Sequence, residues 1–486
     1  MKRTTTILKN IFLLFSSVIL WNCGSNFDNV DSEPKIIFQE EEVRTDGKIL
    51  VSSIKDLNRV LRKSDIDVIM APGTYKIGPA DVASNLIIKP TLFEILGENC
   101  TYDFTGVTFE FDTNIFTSFG SVAVQEFRVV GKNNVVKNLT IADIGDTPPS
   151  KTALAVLLDG VDNRIEGFHI SARGSSPYGY GDVFGKGAPT VLSHKKHASV
   201  LIRGERNHLK NCTIVQKTYG HGIFVQGGID TLIEGCDLYG DETRTSDDIL
   251  AEEGTDSRAD GVDFMTVWGY RLTPGWMFSK HEDGIRAYST GPHYITGETI
   301  HTTNMIVRDC TIRNFRSGVT IGFCNDTKIV ENCVATGTEG AFWVGTLGEV
   351  INCKGDAAYG SLYGTAYQHD RDSKIDVTLI DAGNEKYGTH PIMYLGGSGH
   401  DVTLKTEEAT PSQNAELMIS GENRSIRFEQ GREDTYYKQS SNNITLTNHT
   451  SYPVVLGAAS ENSIVETCGA TTDNGTANSI TTVSCN

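Results

Sequence analysis

A short phrase recurs along this chain: an Asn or Asp, an apolar run, a cysteine and a second short run. It reads Asn207-His-Leu-Lys-Asn-Cys212, Asp230-Thr-Leu-Ile-Glu-Gly-Cys236, Asn304-Met-Ile-Val-Arg-Asp-Cys310 and Asp326-Thr-Lys-Ile-Val-Glu-Asn-Cys333, with a shorter copy in Gly348-Glu-Val-Ile-Asn-Cys353. The cysteines step by 24 residues from Cys212 to Cys236, 23 from Cys310 to Cys333 and 20 from Cys333 to Cys353. A unit of that length, made of short strands and turns, cannot bury an apolar face alone. It must stack on its neighbours, which predicts an all-β solenoid. Asn and Asp at the turns tolerate left-handed backbone, so a structural role accounts for them. The periodic cysteines fall in one register of the coil and read as small apolar fillers. Cys468 and Cys485 lie outside the period and are the candidates for a disulfide near the end of the chain. No CxxC pattern supports a metal site.

The formal charge of −18 argues against nucleic acid as a partner. An anionic substrate stays open, because a local basic groove can sit in an acidic protein. Lys2, Arg3 and Lys9 precede an apolar run from Ile11 to Trp21, too short to span a bilayer as a helix. Cys23 follows, then a polar, acidic stretch. This resembles a bacterial lipoprotein signal, with residues 1–22 as signal peptide and Cys23 as the lipidated first residue of the mature chain. Asn22 departs from the pattern, which normally has a small residue there. Export to the cell envelope, a lipid anchor in the outer membrane and a monomeric chain are the expectations, with residues 23–47 as a flexible tether.

Residues 48–486 read as one solenoid domain. Val51–Arg62 has apolar residues at Ile54, Leu57, Val60 and Leu61, a helical spacing. Asp67-Val-Ile-Met-Ala-Pro-Gly-Thr-Tyr75 follows as a strand ending in a Pro-Gly turn. A helix, then this "APGTY" turn, then rungs resembles the start of a pectate-lyase-like right-handed parallel β-helix. That superfamily is chiefly polysaccharide lyases, glycoside hydrolases and epimerases, with some non-enzymatic adhesins, so the resemblance implies a fold more than a reaction. Two stretches break the rhythm: Ser171–Ala198, and Leu238–Thr303. Long insertions in repeat proteins gather on one face and wall a binding site, so these two are expected on opposite sides of one groove.

Several coils open a strand with x-Gly-apolar: His221-Gly-Ile, Asp283-Gly-Ile, Ser317-Gly-Val and Glu339-Gly-Ala. Stacked about 4.8 Å apart, His221, Asp283, Ser317 and Glu339 would form a polar ladder. Alternation places Arg286 and Tyr288 outward. As turn residues, the same side chains could simply satisfy backbone groups. The Gly-His-Gly around His221 is similar to polygalacturonase-type hydrolases, but their paired-aspartate motifs are missing upstream, so nothing beyond His221 carries over. Two reactions fit. β-Elimination on a uronate polysaccharide would use Arg286, with Lys195 or Lys196, to neutralise the carboxylate, His221 as base and Tyr288 as acid. Glycoside hydrolysis would use Asp283 with Glu339, or Asp260 with Asp263. The basic run His194-Lys-Lys-His197 favours an anionic glycan. Arg203, His281, Glu339 and Trp268, with Tyr270 and Trp276, are further candidates for substrate contact. Lyases of this fold often use Ca²⁺, for which the acidic stretch Asp247–Asp256 is the candidate holder. A non-catalytic glycan-binding or adhesive solenoid is the third reading.

Overall fold

Each copy of the repeated phrase lays down strands that pair in parallel with the equivalent strands of the coils before and after it. The computed structural model describes residues 44–45, 47–181, 193–252, 254, 277–384, 390–408, 415–422 and 438–485. In a central coil, His208–Lys210 pairs with Arg164–Glu166 and with the end of Ile223–Glu234. Thr213–Lys217 lies between His169–Arg173 and Asp237–Gly240. The start of Ile223–Glu234 lies between His197–Glu205 and Ile285–Ala287. Three parallel sheets therefore wrap one apolar interior, the architecture of a parallel β-helix.

The corner between the first and second sheets explains the phrase. The residue before each periodic cysteine has left-handed backbone: φ is 51° at Asn211, 63° at Gly235, 55° at Asp309, 53° at Asn332 and 50° at Asn352. Asn, Asp and Gly are the residues that accept this conformation cheaply. The next residue then points inward, and Cys212, Cys236, Cys310, Cys333 and Cys353 are all buried free thiols. The Asn side chains stack along the outside: Asn352 donates to Asn332 (2.9 Å), and Asn332 to Asp309 (3.1 Å). A second ladder fills another corner from within. There the carboxamide oxygens of Asn134, Asn163 and Asn207 accept the main-chain N–H groups of Cys100, Asn134 and Asn163, each at 3.0 Å.

The first end is covered as expected. Helix Ile54–Val60, capped by Ser53, turns Ile54, Leu57 and Val60 onto the first coils, which shields an otherwise open sheet end. At the other end Cys468 and Cys485 are disulfide-bonded.

Both insertions leave the same corner of the coil. Residues 174–196 separate His169–Arg173 from His197–Glu205, and residues 241–284 separate Asp237–Gly240 from Ile285–Ala287. The coil between them makes the same turn in five residues, 218–222. The described parts of the insertions do not stand apart as opposite walls. The Tyr178 hydroxyl donates to Asp241 (3.1 Å), the Tyr180 hydroxyl to Glu252 (2.8 Å), and Arg244 to the Gly179 carbonyl (3.2 Å). A hairpin, Thr290–Pro292 with Thr299–His301, follows on the next corner. Its Gly291 lies so close to the neighbouring coil that a Cβ would sit 2.3 Å from the Gln226 carbonyl carbon.

Candidate active site

The short turn between the two insertions carries His221, and strand register decides what lies beside it. Ile223 pairs with Ile285, and Ile285 with Val319, so His221, Asp283 and Ser317 share one column. Val319 then pairs with Phe342. That puts Gly340 under Ser317 and moves Glu339 one place along, into the column of Arg316. The expected ladder is therefore one member short. The x-Gly-apolar motif slipped by a residue, because Ala341 rather than Gly340 occupies the equivalent of Gly318. Glu339 instead accepts the main-chain N–H of Ser279 at 2.7 Å, so the pairing of Asp283 with Glu339 is not made.

His221 is 5% exposed. The Asp283 N–H donates to Nδ1 (3.2 Å), which leaves the proton of the neutral ring on Nε2. That nitrogen lies 2.8 Å from the Tyr288 hydroxyl and 3.4 Å from a Glu282 oxygen. Burial lowers the imidazole pKa to about 4, against the pull of Glu282 and Asp283, so the ring is neutral at pH 7. Burial also pushes the Tyr288 hydroxyl well above its ordinary value, and the phenol keeps its proton. His221 is thus not an open base: both nitrogens are engaged, and Tyr288 is its link to the outward face of the coil. Tyr288 and Arg286 face outward and are half-buried, while Ile285 and Ala287 between them enter the core. The Arg286 guanidinium lies 5.0 Å from the Tyr288 ring centre and 5.6 Å from that of Phe323.

Two carboxylates sit beneath this pair. Asp283 is fully buried and takes Arg286 at 2.7 Å and Arg316 at 2.7 and 2.8 Å. Burial alone would raise its pKa, but Arg316 and Arg286 hold it well below the usual carboxylate range. Glu282 takes Lys196 at 2.6 Å and lies 3.4 Å from the Tyr219 hydroxyl. Burial opposes its ionisation, yet His221 and Lys196 bring its pKa down to about 2. Neither acid carries a proton to give at neutral pH. They fix the cations around Tyr288.

The structure sorts the remaining candidates. His281 is fully buried, with Nδ1 facing the Thr218 carbonyl (2.9 Å) and Nε2 accepting the Asp241 N–H (2.7 Å), so it braces the corner and does not reach substrate. His194 is buried against Tyr219, ring centres 3.9 Å apart, with Nδ1 3.1 Å from the Pro177 carbonyl. It orders the first insertion. Arg203 is buried at the register shift between Ile202 and Gly204. Lys195 is exposed and pairs through its main chain with Ser176. Trp268, Tyr270, Trp276, Asp260, Asp263 and Asp256 lie outside the described residues, as does Cys23. In the described part of the acidic stretch, Asp248 caps Thr245 (2.7 Å) and Glu252 pairs with Arg244 and Tyr180. Those carboxylates serve the loop, and the rest of the stretch lies outside the described residues. Glu282, Arg316, Tyr219 and Phe323 went unassigned in the sequence. For Arg316 the only signal was its place immediately before Ser317-Gly.

Residues 190–354 match the family model described as a right handed beta helix region. The fold is a right-handed parallel β-helix. No curated protein matches the chain in sequence. Among solved structures, a mannuronic acid specific polysaccharide family 6 lyase from human gut microbiota matches at TM-score 0.44 and 10% identity, over 89% of this chain and 83% of that one. The family 6 polysaccharide lyase Pedsa3628 from Pseudopedobacter saltans matches at 0.42 and 10%, over 90% and 93%. The A-module of the mannuronan C-5 epimerase AlgE4 from Azotobacter vinelandii matches at 0.35 and 9%, over 86% and 89%.

Proposed function

We propose that this chain is a carbohydrate-active enzyme that cleaves a uronate-containing polysaccharide by β-elimination. The observation that carries the reading is the 2.8 Å His221–Tyr288 pair set beside Arg286 on the outward face of the coil. Arg286 neutralises the sugar carboxylate and acidifies the C5 proton. Tyr288 relays the proton: its oxygen takes the proton of C5 as its own hydroxyl proton passes to the departing oxygen, while neutral His221, protonated on Nε2, donates to the Tyr288 oxygen and steadies it. The C4–O bond breaks and a C4–C5 double bond forms. Hydrolysis is disfavoured at this site because Asp283 and Glu282 are both buried in ion pairs, whereas a glycosidase needs one acid that is protonated and one base that is open. No step is assigned to calcium.

The test is to mix purified protein with alginate, pectate, a glycosaminoglycan and a neutral glycan. Ultraviolet absorbance of the unsaturated uronate and release of reducing ends are followed together. Elimination raises both on a polyuronate. Reducing ends without absorbance would mean hydrolysis. Silence in both channels on every glycan would favour the binding reading.

We further propose that the chain is an exported lipoprotein anchored through Cys23. The support is the basic, apolar and cysteine order of the first residues. Labelling cells with a fatty-acid probe should tag the wild-type protein and spare Cys23→Ser; equal labelling of both would exclude the anchor.

A further inference from the structure

A second polar cluster lies inside the solenoid, set against the apolar core. Glu126 comes from strand Val124–Val129, between the core residues Val124 and Phe127. Asp143 comes from Thr140–Ile144, and His197 opens His197–Glu205 directly after the first insertion. All three side chains are buried from solvent. His197 Nε2 lies 3.6 Å from Glu126 Oε1, and Nδ1 lies 3.5 Å from Asp143 Oδ2. One ligand atom from each residue fits within 4.8 Å of the others.

The arrangement already resembles a prepared coordination set. His197 Nδ1 lies 2.5 Å from the Arg173 carbonyl, which fixes its proton there and turns the Nε2 lone pair toward Glu126. The Arg173 N–H donates to Asp143 Oδ2 at 2.7 Å. Orientation of a ligating imidazole through its other nitrogen is the usual outer support of metal-bound histidine. The inner atoms are left over. Both Glu126 oxygens, Asp143 Oδ1 and His197 Nε2 have no hydrogen-bond partner among the described residues. Two buried carboxylates facing each other without a cation are costly, so the interior must supply either a positive ion or a proton.

We propose that Glu126, Asp143 and His197 bind a structural divalent transition-metal ion of the Zn²⁺ class, enclosed as the coils close. One imidazole with two carboxylates suits such an ion better than Ca²⁺, which takes more oxygen ligands in an open cage. The ion joins three coils at the root of the first insertion. The next residue back, Lys196, reaches Glu282 of the candidate active site, so the ion would hold that arm in place.

The full chain is expressed with Zn²⁺ in the medium and its bound metals are counted by mass spectrometry after gel filtration. About one equivalent per chain is expected, resistant to chelator in the folded protein and released on unfolding. Growth with Co²⁺ should give the visible d–d bands of a nitrogen- and oxygen-ligated ion. The Glu126→Gln, Asp143→Asn double variant should lose the ion. Metal-free protein that folds and melts identically with and without added Zn²⁺ would overturn the proposal in favour of a proton shared by the carboxyls. Metal that a chelator strips from the folded chain, or that the double variant retains, would overturn it in favour of surface binding. The stoichiometry and the cobalt spectrum are read on the wild-type sequence, so they stand even if the variant does not fold.

Discussion

Asp283 shows how burial changes the meaning of a residue. As a sequence letter beside a glycine it reads as a catalytic carboxylate; in the fold it anchors Arg286 and Arg316. Asp283→Asn would leave two guanidinium groups short of a counter-charge. The expected cost is about 3–5 kcal/mol in chemical denaturation, with activity lost along with the fold. A variant that stays fully stable but inactive would return Asp283 to the chemistry. Tyr288→Phe removes one oxygen from the outward face and should leave the melting temperature within a few degrees of wild type. It should lower kcat by roughly 10²–10⁴-fold, the range for removing a proton-transfer group. Near wild-type turnover would dismiss the pair.

At the scale of the corner, asparagines matter more than strand propensity. Asn163 accepts the Asn134 N–H and donates to the Gly131 and Asp159 carbonyls (2.7 and 2.9 Å), all in the interior. Asn163→Ala strands those groups, with an expected loss of about 2–4 kcal/mol in urea unfolding; a change under about half a kcal/mol would mean that water replaces the ladder. The corner was also the legible part of the chain. The Asn-Cys phrase recurs because each turn needs one left-handed residue followed by one small inward side chain, a constraint local enough to read from letters. The active site was legible only in part. Arg286 and Tyr288 followed from alternation within one strand. Arg316, Glu282 and the slipped place of Glu339 depend on the alignment of separate coils, and one residue of slip moves every side chain to a new column. The interior group was hidden for the same reason, since Glu126, Asp143 and His197 are far apart in sequence and meet only across the lumen.

For the whole molecule, the buried histidines make stability depend on pH. His221 and His281 have pKa values near 4 in the fold, lowered from 6.5 by burial. The unfolded chain therefore binds their protons first as pH falls. Their contribution is fully present above about pH 6.5 and is lost between there and pH 4, a drop of about 2–5 kcal/mol for the two together. Urea midpoints measured at pH 7 and pH 5 should show most of the fall, and a flat profile would mean that both rings are hydrated. The solenoid stacks coils whose sheets carry side chains alternately in and out, so one outward strip holds Phe224, Arg286, Tyr288 and Phe323 side by side. That strip is where an extended anionic chain would lie, and its chemistry turns on a single bond. The most direct measurement is proton NMR of a polyuronate incubated with the protein in heavy water, following the hydrogen on C5. The account requires loss of that resonance, together with appearance of the vinylic C4 proton, in the wild type and not in Tyr288→Phe. Glycosidic cleavage with the C5 hydrogen intact would contradict it.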